Sequence, residues 1–158
     1  MHTAVRRVRE ALAEHGVHAD ILELPGPAPT AAAAAAQLGC EVGAIANSVV
    51  FRVDDDPLLV VTSGAHRVDT RRVARLRGVA HRRIRRADPD FVRQVTGQRV
   101  GGVAPIGHPS PVPTLIDEHL DDYPYVWAGA GLAHTVFRTT CKDLVRLTGA
   151  EPVGVSAD

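Results

Sequence analysis

The stretch Ser48-Val49-Val50-Phe51-Arg52-Val53-Asp54-Asp55-Asp56-Pro57-Leu58-Leu59-Val60-Val61-Thr62 decides the fold. Two runs rich in β-branched and apolar residues flank a short polar turn, which predicts a β-hairpin with strands over 48–53 and 58–62. Upstream, Val5, Val8 and Leu12 recur at helical spacing and predict a helix over Thr3–His15, with Gly16 as its C-cap. Asp20–Leu24 reads as a short strand. Thr30 stands where an N-cap is needed for the alanine-rich run Ala31–Leu38, which Gly39 ends, and Glu41–Ala46 forms a helical turn into the hairpin.

Downstream, Asp69–Arg77 reads as a helix that packs Val73 and Leu76 inward and turns Arg71, Arg72 and Arg75 outward. Arg82–Arg86 carries too much charge for a buried sheet and reads as an edge strand. Asp88-Pro89 opens a helix that runs to Thr96. Strands follow over Val112–Asp117, Pro124–Ala128 and Ala133–Arg138, and Thr140 caps a last helix, Cys141–Leu147, ended by Gly149. Neither a repeat nor a linker interrupts the pattern. The expectation is α+β: one compact domain over 1–158, with a mixed, mostly antiparallel sheet and surrounding short helices.

Composition narrows the function classes. A chain of 158 residues with 45% hydrophobic and 23% charged content is globular, and no apolar run is long enough to span a bilayer. The N-terminal Met1–Arg7 opens an amphipathic helix rather than a signal peptide, and Cys40 and Cys141 show no CxxC spacing. A cytoplasmic protein with reduced thiols is expected. Basic and acidic residues balance at 18 each, but eleven arginines face three aspartates between Arg67 and Arg99. Such a segment is either a solvated face or a surface for phosphates.

Between the helix ending at Thr96-Gly97 and the strand near Val112 lies Gly101-Gly102-Val103-Ala104-Pro105-Ile106-Gly107-His108. Glycines let a backbone approach a ligand and expose amide N–H groups, and proline stiffens the exit. Such a loop suits capture of a carbonyl or oxyanion, and equally serves as a tight structural turn. The eight histidines are scattered without an HExxH pattern, so no metal site is expected. Cys141, at a helix start, is where a thiol pKa can be lowered, whereas Cys40 reads as buried. Ser63 has no histidine base beside it in sequence.

Four segments in order resemble the YbaK/EbsC family, free-standing relatives of the editing domain of bacterial prolyl-tRNA synthetase. They are Ile45–Phe51, Val60–Asp69, Arg86–Pro89 through Gly97 into Gly101–Gly107, and Trp127–Gly131 with Asp143-Leu144-Val145. The resemblance implies hydrolysis, in trans, of an amino acid wrongly esterified to tRNA, without a cofactor. It implies that the GxxxP loop, here Gly101-Gly102-Val103-Ala104-Pro105, holds the aminoacyl carbonyl and terminal adenosine with backbone amides. Thr30, Ser63, Gly64 and His134 are the further substrate contacts it implies. The family's lysine is replaced here by Asn47, which keeps an amide donor and loses the cation.

On this reading the partners are aminoacyl-tRNA and a synthetase, with no membrane and no DNA. Arg71, Arg72 and Arg75 contact tRNA phosphates. Three Phe, two Tyr and one Trp look too few for a stacking platform, which leaves binding mainly electrostatic. The loss of the lysine keeps a second reading open, a non-catalytic tRNA- or nucleotide-binding module of the same fold. A third is hydrolysis of another small ester or amide.

Overall fold

The computed structural model describes residues 2–157; Met1 and Asp158, the ends of the expected domain, lie outside the described residues. In chain order the elements are α1 (Thr3–Glu14), β1 (Ile21–Glu23), α2 (Ala31–Leu38), β2 (Ile45–Val53), β3 (Asp56–Ser63), α3 (Thr70–Arg77), β4 (Ile84–Arg86), α4 (Pro89–Thr96), β5 (Thr114–Asp117), β6 (Val126–Gly129), β7 (Thr135–Thr139), α5 (Cys141–Thr148) and β8 (Pro152–Val153). The hairpin β2–β3 is the centre of one sheet ordered β1-β7-β6-β2-β3-β5-β8, with β4 lying beside the far half of β2. Pairs β2–β6, β3–β5 and β5–β8 are parallel and the other four antiparallel. The α+β fold with a mixed, mostly antiparallel sheet is as the sequence implies.

Both hairpin strands are covered on both faces, which explains why they read as unbroken apolar runs. Val50, Leu59 and Val61 pack with Val8 and Leu12 of α1, Val92 of α4, and Leu144 and Leu147 of α5. The alternate residues Val49, Phe51, Leu58 and Val60 pack with Val73 and Ala74 of α3. Fully burying each such side chain contributes about 1.5–3 kcal/mol, so this hairpin carries much of the core energy.

The differences from expectation are local. The first strand starts at Ile45 and the second at Asp56, so the turn shrinks to Asp54-Asp55, with Asp54 at φ 56°. Aspartate tolerates that left-handed conformation better than most residues. In α3 the buried partner of Val73 is Ala74, while Leu76 is 45% exposed; alanine adds little to an apolar periodicity, so the pattern points to the wrong inward face. The charged edge strand is only Ile84–Arg86, and Ile84 is its buried anchor. The two-residue β8 has no signal in sequence.

The interruption of pairing along β2 is what opens a site. On its side away from β3, β2 pairs with β6 only at Ile45 and Ala46, and with β4 only at Phe51–Val53. Between these contacts the edge of β2 at Asn47–Val49 has no ladder partner among the described residues, and a cleft forms there.

The glycine loop next to this cleft is fixed by Gln98, 2% exposed, whose Oε1 accepts from the Ala104 N–H at 2.7 Å and whose Nε2 donates to the Ile106 carbonyl at 3.2 Å. Gln98→Leu removes both partners while keeping most of the volume. Each orphaned buried group costs about 1–3 kcal/mol, so urea denaturation should show a fall in unfolding free energy of that order or more; an unchanged midpoint would mean water replaces the side chain.

Candidate active site

The cleft has a volume of about 230 Å³. Asn47 and Ser48 of β2 and Trp127, Ala128 and Gly129 of β6 line it from the sheet, and Thr30, Ala31 and Ala34 of α2 line it from above. Gly101, Gly102 and Val103 close one side together with His134, Thr135 and Val136. Six of the expected site residues (Thr30, Asn47, Gly101, Gly102, Val103 and His134) meet at this cleft.

The side wall is built by two glycine loops packed backbone on backbone. The Gly131 N–H donates to the Gly102 carbonyl at 2.8 Å. A Cβ on Gly102 would stand 2.4 Å from the Leu132 carbonyl carbon, and one on Gly129 would stand 2.7 Å from the Val103 oxygen. Real side chains cannot occupy those spaces. Gly101 instead needs glycine for its backbone, at φ 98°.

The Gly102 N–H is committed to the Arg99 carbonyl at 3.1 Å, so this residue acts by allowing close approach rather than by donating. Among the described residues, the N–H groups of Gly101 and Val103 have no protein acceptor. They are two of the donors the wall leaves available. The mouth of the loop pair holds His134 in a left-handed conformation, φ 68°, exposed, with its carbonyl accepting from the Leu24 N–H at 2.7 Å.

Asn47 is exposed and its amide has no hydrogen-bond partner among the described residues. Beside it, Ser48 Oγ is buried without a hydrogen-bond partner among the described residues. Sequence reasoning missed Ser48; a lone hydroxyl in an apolar strand was its only signal. Thr30 caps α2 by accepting from the Ala33 N–H at 3.1 Å, and the helix start it marks supplies partial positive charge to the cleft. Among the described residues no Lys, Arg, Asp or Glu lines the cleft, and backbone dipoles contribute to its potential.

Three residues expected to touch substrate stand behind the wall instead. Ser63 is fully buried, its hydroxyl donating to the Gly43 carbonyl at 2.7 Å and accepting from the Ala65 N–H at 3.2 Å, which leaves no nucleophile. Gly64 backs the cleft: its added Cβ would lie 2.8 Å from Ala31 Cβ and 3.2 Å from Ile45 Cβ. Pro105 is buried in the loop's exit. Cys141 is 3% exposed and burial pushes its thiol up, opposite to the activation a helix start can give.

The arginine segment is also less uniform than its composition. Arg71 and Arg75 are exposed and unpaired among the described residues, but Arg72 is half-buried and turns into a second cleft with Asp117, Glu118, Asp121 and Asp122. Arg83 is neutralised by Asp54 of the hairpin turn. In that second cleft Asp117, 1% exposed, accepts from the Ser63 N–H at 2.9 Å, His66 Nδ1 at 2.8 Å and, through its other oxygen, the His119 N–H at 3.0 Å. This buried carboxylate ties β5 to the end of β3. Among the described residues no three His, Cys, Asp or Glu side chains converge as a metal site.

Residues 25–147 match the model of the aminoacyl-tRNA editing domain, and the matched span contains every cleft residue except Leu24. The chain belongs to the aminoacyl-tRNA editing family. A solved structure described as a candidate trans-editing enzyme for prolyl tRNA synthetase is 40% identical to it, with a TM-score of 0.92 over 100% of this chain and 99% of that one. The structure of hypothetical protein APE2540 is 28% identical, with a TM-score of 0.85 over 95% of this chain and 99% of that one. The uncharacterized protein YwhH of Bacillus subtilis (strain 168) is 25% identical over 142 residues, covering 89% of this chain and 88% of its own.

Behind this editing domain's glycine loop, His108 Nε2 lies 2.9 Å from the Ala104 carbonyl, and burial holds the imidazole below its ordinary value of 6.5. The unfolded chain therefore takes up this proton more readily. The contribution of neutral His108 to stability is complete above the unfolded value and lost as pH falls toward the lower folded one. Urea midpoints measured at descending pH from above 6.5 should fall less for His108→Gln than for wild type; parallel curves would remove His108 as the cause. Gly102→Ala should push the 131–134 loop outward and reduce ligand affinity for the cleft at least tenfold, with circular dichroism showing the fold retained.

Proposed function

We propose that this chain hydrolyses the ester joining a small amino acid to the 3′ end of a tRNA, acting in trans on mischarged product. The observation that carries the reading is the pair of main-chain N–H groups, Gly101 and Val103, unengaged among the described residues, on the wall of a cleft whose described lining includes no Lys, Arg, Asp or Glu. An aminoacyl carbonyl set against them is polarised, and the oxyanion formed by attack of water is held by the same donors. The ester C–O bond then breaks, and the water's proton passes to the departing ribose oxygen, with the neighbouring ribose hydroxyl within reach to relay it. An ester is already activated, so positioning and oxyanion stabilisation suffice.

In this reading Asn47 and the buried hydroxyl of Ser48 orient the amino acid or the attacking water, and His134 contacts the adenosine at the mouth. The small cleft volume favours alanine, cysteine or serine over bulky side chains. Gly102, Ser63, Gly64 and Pro105 shape the wall rather than touch substrate, and the exposed Arg71 and Arg75 meet tRNA phosphates. Among the described residues, no helix is long and apolar enough to cross a membrane, and tRNA with the synthetase that mischarges it are the partners proposed.

Asn47 favours keeping one second reading, a binding module that holds a tRNA end without hydrolysing it, because a dipole does less than an ammonium for developing negative charge. A deacylation screen against tRNAs mischarged with alanine, cysteine and serine separates the two. Wild type should hydrolyse at least one substrate slowly, Asn47→Lys should be faster, and Asn47→Ala slower by roughly tenfold, the scale of one hydrogen bond. Inactivity of both wild type and Asn47→Lys across the panel would hand the fold to the binding reading. A fast wild type slowed by Asn47→Lys would instead mark asparagine as the residue matched to this substrate.

The basic face has its own test. Arg71→Ala with Arg75→Ala should weaken tRNA binding and flatten its dependence on salt, by about 0.7–0.9 in logarithmic slope for each phosphate no longer neutralised. An unchanged salt slope would leave these arginines as solvated surface.

A further inference from the structure

We infer that the open sheet face beside the cleft is a stacking track for the unpaired nucleotides that precede the 3′-terminal adenosine. The cross-strand register puts Trp127 opposite Arg138 and Gly129 opposite Val136 on one face, while Val126, Ala128 and Phe137 turn to the core. Leu22 of β1 pairs with Val136 and shares that face. Tyr125, just before β6, is on it too, with the Arg138 guanidinium 4.4 Å from its ring centroid.

Helix α3 packs on β2 and β3 on this side, and α2 stands over the cleft. From β6 outward the face is open: Tyr125 is 52% exposed and Leu22 44%. Arg138 is exposed and makes no ion pair among the described residues. The sequence contains only three residues of the Trp and Tyr type, and the fold sets two of them on this strip. What composition alone made too sparse for stacking, the strand register concentrates.

The occupant follows from chemistry and continuity. Trp127, Gly129 and Val136 line the cleft, so the strip begins inside it and continues past Arg138 to Tyr125. The two aromatic positions are two residues apart along a strand, about 6.8 Å, as on sheets where strand aromatics stack successive unpaired bases. A guanidinium laid on one ring supplies a cation for the intervening phosphate and a second flat surface. An apolar protein partner would leave the Arg138 charge buried and unpaired, which is costly; a single RNA strand satisfies both rings and the charge. The inference rests on the cleft taking the 3′ end of a tRNA, and its test does not need hydrolysis.

Trp127 is the single tryptophan of the chain, so its emission reports stacking on this face directly. A single-stranded heptaribonucleotide ending in CCA should quench Trp127 and bind at least about tenfold tighter than adenosine monophosphate, the scale of one stacked base. Tyr125→Ala should remove most of that advantage, Tyr125→Phe should keep it, and Arg138→Ala should reduce the salt slope by about 0.7. Equal affinity of wild type and Tyr125→Ala for the heptamer overturns the track, as does self-association in sedimentation that covers Trp127 with no response to RNA. The deacylase reading fails separately: quenching by the heptamer in a protein that deacylates nothing sinks catalysis and supports the track. Active deacylation with heptamer affinity indifferent to Tyr125 and Arg138 does the reverse.

Discussion

The site depends on a contact between two backbones, the 2.8 Å hydrogen bond from Gly131 N–H to the Gly102 carbonyl and the close packing around it. Four glycines permit it, Gly102 and Gly129 by having no Cβ and Gly101 and Gly131 by accepting a positive φ. The bond commits Gly102's carbonyl to the partner loop, and Arg99 takes its N–H, while the flanking N–H groups of Gly101 and Val103 have no acceptor among the described residues. Gly101 is exposed at the cleft wall, and N–H groups there without a protein acceptor are open to a ligand. Gln98 then keeps the loop from relaxing, by holding Ala104 and Ile106 from beneath.

The sheet supplies the other half of the constraint. β2 is the strand that meets three neighbours, and its edge goes unpaired just where β6 leaves it and before β4 arrives. A continuous partner strand would have closed the cleft and covered Asn47. The strand must nevertheless stay in place, and the apolar layers on both faces of the hairpin do that. Rigidity from the hairpin and an opening from incomplete pairing together give a small pocket with dipoles and, among the described residues, no Lys, Arg, Asp or Glu in its lining.

Much of the fold was legible because its strongest signals are local. The hairpin's β-branched runs, Thr30, Asp88 and Thr140 as N-caps, and the glycines after α2, α3, α4 and α5 all speak through nearest neighbours. The site was legible only in part, for a geometric reason. Gly101–Val103 and Asn47 announce themselves in sequence, but that Gly64 lies behind Ala31 and Ile45, and that the Ser63 hydroxyl is taken by the Gly43 carbonyl, is set by packing between distant segments. Ser48, Gln98 and Asp117 are polar residues whose importance comes from burial, which their neighbours in sequence do not report. The Trp127–Arg138–Tyr125 strip is likewise a product of register between β6 and β7, invisible to a count of aromatic residues.

The central claim is that the free N–H groups of the glycine wall receive the aminoacyl carbonyl. Its most direct test is an amide-resolved NMR titration with a non-hydrolysable analogue, 3′-alanylamino-3′-deoxyadenosine, in which an amide replaces the ester. The Gly101 and Val103 amide resonances should move downfield and gain protection from exchange, while Gly102, already bonded to Arg99, should shift less. Shifts gathered instead around His66, Asp117 and His119, with Gly101 and Val103 unmoved, would contradict the account.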